Sequence, residues 1–163
     1  MSGGTVTVTR PWVLGLLLRG PADRRSVAAR IAITLLIVAG AALTVYSGYI
    51  HLYLWGSQPF PYKDVPTIGP LFLLQGIVAI IVGLLVVISR RLFAVLVGAG
   101  LMVLSVAALV FDVEVGMFGF QDSWSAPYAT STLYEEIVGA VVLLIAAAVL
   151  AWPAVAGRSG RAR

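Results

Sequence analysis

The chain has 163 residues, of which 60% are hydrophobic and only 11% are charged, and its mean hydropathy is +1.01. The chain has too few polar side chains to cover the surface of a soluble domain. The composition therefore excludes an ordinary soluble domain and indicates a single membrane domain. The absence of cysteine excludes disulfides, thiolate metal sites and cysteine-ligated iron–sulfur clusters within the chain. A single histidine, His51, excludes bis-histidine haem ligation within one protomer.

The N-terminal part of the chain is predicted to be a basic cytoplasmic leader, residues 1–30. Its apolar segment, residues 11–18, is too short to span a membrane and is expected to lie at the membrane surface. The first long apolar run covers residues 31–50. Basic residues before this run and small residues inside it also fit a cleaved signal peptide. The run continues past the small residues to Ile50, which favours an uncleaved transmembrane anchor.

Three further apolar runs are long enough to cross a membrane. Residues 68–89 and 92–111 meet at Arg90 and Arg91, and each run has roughly the 20 residues that a hydrocarbon core about 30 Å thick requires. They predict a transmembrane helical hairpin. The last run covers residues 133–152 and precedes a basic tail, residues 153–163. We therefore predict an all-α integral membrane bundle of four transmembrane helices within residues 31–152.

The charges predict how this bundle is oriented. Lys and Arg in short loops remain on the cytoplasmic side, so the residues expected to set the topology lie before the first span and in the hairpin turn: Arg24, Arg25, Arg30, Arg90 and Arg91. Of the 11 basic residues, only Lys63 falls in an outer loop, whereas of the seven acidic residues only Asp23 falls inside. Both termini are therefore expected in the cytoplasm.

Small residues recur along the predicted spans. Helices in lipid associate by close backbone approach and interhelical hydrogen bonds, because lipid tails are as apolar as leucine. Three glycines stand seven residues apart on the second span, which is the spacing of one face of a left-handed helix crossing. The residues expected in helix packing are Gly69, Gly76, Gly83, Ala94, Gly98 and Gly139.

Polar and ionisable residues gather at the predicted outer ends of the spans. Asp112 lies 21 residues after Arg91, and a rise of 1.5 Å per residue puts it about 31 Å from the inner arginines. The same reasoning predicts an outer-mouth cluster made of His51, Gln75, Asp112, Glu114 and either Glu135 or Glu136. Adjacent helical residues point about 100° apart, so the sequence leaves open which of the two glutamates faces the bundle.

This cluster has three interpretations. Ionisable groups at membrane depth are expensive and often functional, but groups this near the surface also serve as solvated caps or a structural hydrogen-bond network. The second interpretation is a site for a small ligand, lipid headgroup or divalent cation, and the third is an interface with a partner protein. One histidine with several carboxylates suits a divalent cation, but no EXXH or HEXXH spacing supports such a site, so no cofactor is predicted.

The sequence also resembles a known group of proteins. Residues 48–55 (GYIHLYLW), 66–75 (PTIGPLFLLQ) and 116–120 (GMFGF) are similar to segments of small four-span membrane proteins of actinobacteria that have no established activity. The resemblance implies a multi-pass protein of the bacterial cytoplasmic membrane and supplies no reaction.

No phosphate-binding or hydrolase motif is present, so nothing positive indicates an enzyme. The leading hypothesis is an interaction or accessory subunit whose outer rim docks a protein partner or lipid. The alternative is a small-ligand or divalent-cation site at the outer mouth within a transport or redox assembly. Expected partners are the lipid bilayer and a second protein or further copies of the chain, but not nucleic acid, since the arginines are placed at the membrane boundary.

Overall fold

The computed structural model confirms the predicted all-α bundle of four membrane-spanning helices. It describes residues 12–23, 26–56 and 61–159. Arg24 and Arg25, two of the residues predicted to set the topology, lie outside the described residues, as do residues 1–11 of the leader and 160–163 of the tail.

Five helices make up the described chain. The short helix α1 (Trp12–Leu17) precedes the four long helices α2 (Val27–Gly56), α3 (Ile68–Ser89), α4 (Leu92–Glu114) and α5 (Ala129–Ser159). Each predicted span lies within one long helix, and α2 and α5 extend beyond the predicted spans at both ends. The end of the bundle that carries Arg30, Arg90 and Arg91 is called the arginine end. The opposite end, with the connections between α2 and α3 and between α4 and α5, is called the loop end.

At the arginine end, α3 and α4 are joined by the two residues between them. Arg90 adopts a left-handed conformation (φ 49°), and its N–H donates to the Val86 carbonyl at 3.0 Å, which closes α3. The segment after α1 lies against this turn. The Arg19 carbonyl accepts the N–H of Leu92 at 2.8 Å, and the Leu18 carbonyl accepts a guanidinium N–H of Arg91 at 2.6 Å. The leader is therefore fastened to the bundle by hydrogen bonds.

Helices α2 and α3 pack most closely of all pairs. A Cβ atom added to Gly48 would lie 2.8 Å from the carbonyl oxygen of Gly76, so only glycine allows this backbone approach. At Gly83, an added Cβ would lie 2.6 Å from a methyl group of Val45. Gly76 and Gly83, two of the three glycines spaced seven residues apart, thus lie in the contact between α2 and α3. The third, Gly69, lies against the backbone of the Tyr62–Asp64 turn.

The other small residues predicted to pack lie on α4 and α5. Gly98 accommodates side chains of Leu143 and Val86, Gly139 accommodates the end of Met102, and Ala94 packs beside the apolar core. Helix α2 packs against both α3 and α5, and α4 packs mainly against α5. Contact between α3 and α4 is much less extensive, although the two are neighbours in sequence. Their separation leaves the space in which the candidate site lies.

Candidate functional site

A cavity of about 460 Å³ lies at the loop end, between α3 and α4 and beside α2 and α5. Its walls are mainly apolar, with Ile50, Leu74, Leu104 and Leu109 among the lining residues. The connections at this end also contribute Tyr62 and Met117 to its lining. Most of the polar cluster predicted from the sequence lines the same cavity: His51, Gln75, Asp112 and Glu136.

Glu136 is the most deeply buried of these side chains, with no exposed surface. One carboxylate oxygen, Oε1, accepts the hydroxyl of Ser47 on α2 at 2.7 Å and the hydroxyl of Ser105 on α4 at 2.6 Å. A single side chain of α5 therefore ties three helices together. The other oxygen, Oε2, is buried without a hydrogen-bond partner among the described residues. An unpaired buried polar atom is unfavourable by about 1–3 kcal/mol, more when it is charged.

The contact with Ser105 also fixes the depth of Glu136. Asp112 follows Ser105 by seven residues on α4, which is about 10 Å along the helix axis. The carboxyl group of Glu136 therefore lies about two helical turns further into the membrane than Asp112. The cavity has one carboxyl group near its mouth and another in its interior.

Asp112 is buried near the mouth, and its Oδ1 has no hydrogen-bond partner among the described residues. Gln75 is half-buried, and its Nε2 is likewise unpaired. His51 also lines the cavity, and its Nδ1 lies 2.9 Å from the Ser47 carbonyl oxygen. Because a carbonyl oxygen only accepts hydrogen bonds, this nitrogen carries a proton and donates it. Three of the predicted residues thus present polar atoms to the cavity.

Two predicted residues do not line the cavity. Glu114 lies at the exposed end of α4, where it accepts the indole N–H of Trp124 at 3.0 Å. Glu135 is half-buried, and both of its carboxylate oxygens are buried without a hydrogen-bond partner among the described residues, but it is not among the residues that line the cavity. The structure therefore answers the question that the sequence left open: Glu136 faces the bundle.

Sequence reasoning missed two polar residues of the mouth. The hydroxyl of Tyr62 donates to Oδ2 of Asp122, and the backbone N–H of Ser123 donates to the other oxygen of Asp122 at 2.8 Å. Burial, the hydrogen bond to Asp122 and the negative charge of that carboxylate raise the pKa of Tyr62 well above its ordinary value. Both residues lie in connections without helical periodicity, so no spacing in the sequence pointed to them.

Aromatic rings cover part of the mouth. Phe72 stacks on Tyr62 with ring centres 4.3 Å apart and an angle of 8° between planes, and it contacts the ring of His51 at 5.2 Å. Phe118 and Tyr128 also line the cavity, and each has a positive φ, 53° and 66° respectively. Such conformations are unfavourable for residues other than glycine, and they concentrate at binding and catalytic sites.

The chemistry of the cavity limits what it can hold. No group of three or more His, Asp or Glu side chains is close enough to hold a metal ion within the described residues. The cavity's unpaired polar atoms among the described residues are a carboxylate oxygen of Asp112, a carboxylate oxygen of Glu136, the hydroxyl of Thr132 and the amide nitrogen of Gln75. The carboxylates accept hydrogen bonds and attract positive charge, whereas the amide nitrogen donates. The apolar walls suit a hydrophobic molecule, since binding cavities of 300–1,000 Å³ with a few polar groups typically hold small ligands.

No protein-family model, no curated protein and no solved structure matches the chain.

Proposed function

We propose that this chain is a multi-pass protein of the bacterial cytoplasmic membrane that binds a small hydrophobic or lipid-like molecule in its loop-end cavity. One observation carries the proposal: Glu136 lines a mainly apolar cavity of about 460 Å³, is fully buried, and has one carboxylate oxygen, Oε2, without a hydrogen-bond partner among the described residues. A bound molecule with one polar group would satisfy this oxygen and fill the apolar space.

The position of the cavity supports entry from the bilayer. Leu74 on α3 and Leu104 on α4 line the cavity and are 57% and 65% exposed on the outer surface of the bundle. Side chains that are exposed on the membrane-spanning part of a helix face lipid. The gap between α3 and α4 is therefore open towards the hydrocarbon, so a membrane-soluble molecule need not cross water to enter.

We further propose that both termini are cytoplasmic and that the cavity lies in the outer leaflet. The excess of arginine at one end of the bundle supports this orientation, because Lys and Arg in short loops are retained on the cytoplasmic side. Within the described residues, Arg30, Arg90 and Arg91 share that end, whereas Asp112 and Asp122 lie at the other.

The proposal develops the lipid-docking hypothesis and the small-ligand alternative. The divalent-cation version of that alternative has the weakest support, since no close group of three ligating side chains is found in the described part of the chain. An accessory role in a larger assembly remains a prediction, and it is compatible with a bound small molecule.

Native mass spectrometry of the protein extracted gently from its own membrane tests the proposal. The wild-type chain should retain a small molecule at a fixed ratio. Ala108→Phe should lose it, because Ala108 lines the cavity and a phenyl ring would fill the space. Ala107→Phe is the matched control, since Ala107 is exposed on the same helix and does not line the cavity.

Two results would contradict the proposal. Retention of the molecule by Ala108→Phe at the wild-type ratio would place its binding site elsewhere. A wild-type chain that carries no small molecule but a stoichiometric second polypeptide would favour the accessory-subunit hypothesis instead.

A further inference from the structure

The charges that surround the cavity are mostly negative. Its lining includes three carboxyl groups, on Asp112, Asp122 and Glu136, and neither lysine nor arginine is among the described residues that line it. His51 is the only basic side chain in the lining. A cavity with walls of low polarizability concentrates the field of the charges inside it, so this one favours cations over anions.

The hydrogen bonds show which carboxylate oxygens are available, and Oδ1 of Asp112 near the mouth is one of them. Both oxygens of Asp122 are occupied, by the Tyr62 hydroxyl and by the Ser123 N–H. In Glu136, the hydroxyls of Ser47 and Ser105 both donate to Oε1, which leaves Oε2 without a partner. Glu136 therefore offers one acceptor in the cavity interior, held in place by two serines on different helices.

His51 does not neutralise Glu136 directly. Its Nδ1 donates to the carbonyl of Ser47, and its ring packs on Phe72. No hydrogen bond joins the imidazole to the carboxyl group of Glu136 in the described structure. No described residue donates a hydrogen bond to the buried Oε2, so a bound molecule with a donor group or a positive charge would stabilise it.

We propose that the molecule bound in the cavity is a lipophilic amine whose protonated nitrogen donates a hydrogen bond to Oε2 of Glu136. This inference rests on the proposed function and specifies its ligand class. The apolar part of the amine lies against Leu74, Leu104 and Leu109, which line the opening between α3 and α4. Asp112, about 10 Å nearer the mouth, attracts the cation as it enters.

The size of the cavity agrees with this class. A volume of about 460 Å³ is in the range that holds a compact drug-sized molecule. Charge-assisted hydrogen bonds are about twice as strong as neutral ones, so an ammonium group should bind better than a hydroxyl group of the same shape. A carboxylate on the same skeleton should be repelled.

The test compares three molecules that share one apolar cage: adamantan-1-amine, adamantan-1-ol and adamantane-1-carboxylate. Their binding to the full chain in lipid nanodiscs is measured by isothermal titration calorimetry at neutral pH. We expect the amine to bind at least roughly tenfold more tightly than the alcohol, and the carboxylate not to bind.

Two matched variants test whether the negative charge of Glu136 is the one that binds the amine. Glu136→Gln keeps an amide oxygen that accepts from both serines but removes the negative charge, so amine affinity should fall roughly tenfold or more while alcohol affinity stays unchanged. Glu135→Gln removes a neighbouring carboxyl group that does not line the cavity, and it should leave amine binding as in the wild type. Circular dichroism melting of each variant shows that the bundle is folded.

The outcomes separate this inference from the proposed function. Equal binding of amine and alcohol by the wild type, or wild-type amine affinity in a folded Glu136→Gln, would overturn the amine assignment while the cavity remains a binding site. Failure of all three molecules to bind would also overturn it. The retained native molecule and its loss in Ala108→Phe would then decide the proposed function separately.

Discussion

The two halves of the bundle are built differently. The half nearer the arginine end is a continuous apolar core of fully buried side chains, with Ile33, Ile37, Val86, Val95, Leu143 and Leu150 among its members. The loop-end half contains the cavity and the buried polar side chains that surround it: Ser47, Ser105, Asp112, Thr132 and Glu136. The arginine-end half is close-packed, whereas the helices of the loop-end half are joined by hydrogen bonds beside a cavity.

This difference places the packed core and the proposed binding cavity in separate halves of the bundle. Lipid tails are as apolar as the side chains of the core, so the arginine-end half holds together by close packing rather than by exclusion of water. In the loop-end half, α3 and α4 lie apart. Helices α2 and α4 are each joined to α5 there by a hydrogen bond, because the hydroxyls of Ser47 and Ser105 both donate to Glu136. A close-packed half thus supports a half that contains a cavity.

The strongest test of this difference is to shorten one leucine to alanine in each half and compare the losses of stability. Leu143 is completely buried in the core and packs against Gly40 and Gly98, so Leu143→Ala should lower the free energy of unfolding by about 2–5 kcal/mol. Leu109 lines the cavity and is only partly buried, so Leu109→Ala enlarges a space that already exists and should cost less than about 1 kcal/mol. Unfolding in mixed detergent micelles measures both, and equal losses would show that the halves are packed alike.

A second, smaller effect concerns the close approach of α2 and α3. Gly48→Ala would place a Cβ atom 2.8 Å from the Gly76 carbonyl oxygen, so the helices must separate and stability should fall by about 1–3 kcal/mol. Gly100→Ala is the control, because nothing lies within 4 Å of its added Cβ atom. The control should be neutral or slightly stabilising, since alanine is the better helix former. A loss at Gly100 as large as that at Gly48 would contradict the packing.

The smallest effect is expected in the turn at the arginine end. Arg90 holds a left-handed conformation (φ 49°) that is unfavourable for residues with a Cβ atom. Arg90→Gly should therefore be more stable than Arg90→Ala by up to about 1 kcal/mol, since both remove the charge but only glycine removes the strain. Thermal unfolding of the two variants side by side measures this difference. A less stable glycine variant would mean that the left-handed turn is not formed.

Much of the candidate site could be predicted from the sequence. Counting residues from Arg30 and Arg91 along a helix placed His51 and Asp112 at one level, and both line the cavity. The same counting included Glu114, which the structure puts beyond the cavity in a hydrogen bond to Trp124. Helical rise predicts depth, but it does not tell which way a side chain points at the frayed end of a span.

The part of the site that the sequence did not predict depends on contacts between distant segments. Tyr62 and Asp122 stand 60 residues apart in two connections, where no period relates one residue to the next. Ser47 and Glu136 stand 89 residues apart. Contacts between such distant residues can be identified only from the tertiary structure.

By itself, the sequence determined the number and position of the membrane-spanning helices, because hydrophobic length is a local property that each segment carries alone. It also determined that most arginines lie at one end of the bundle and most carboxylate side chains at the other. Only the tertiary structure decided that Glu136 rather than Glu135 lines the cavity and that α3 and α4 part to leave it. Those features depend on how the faces of four helices fit together, and no single segment specifies that fit.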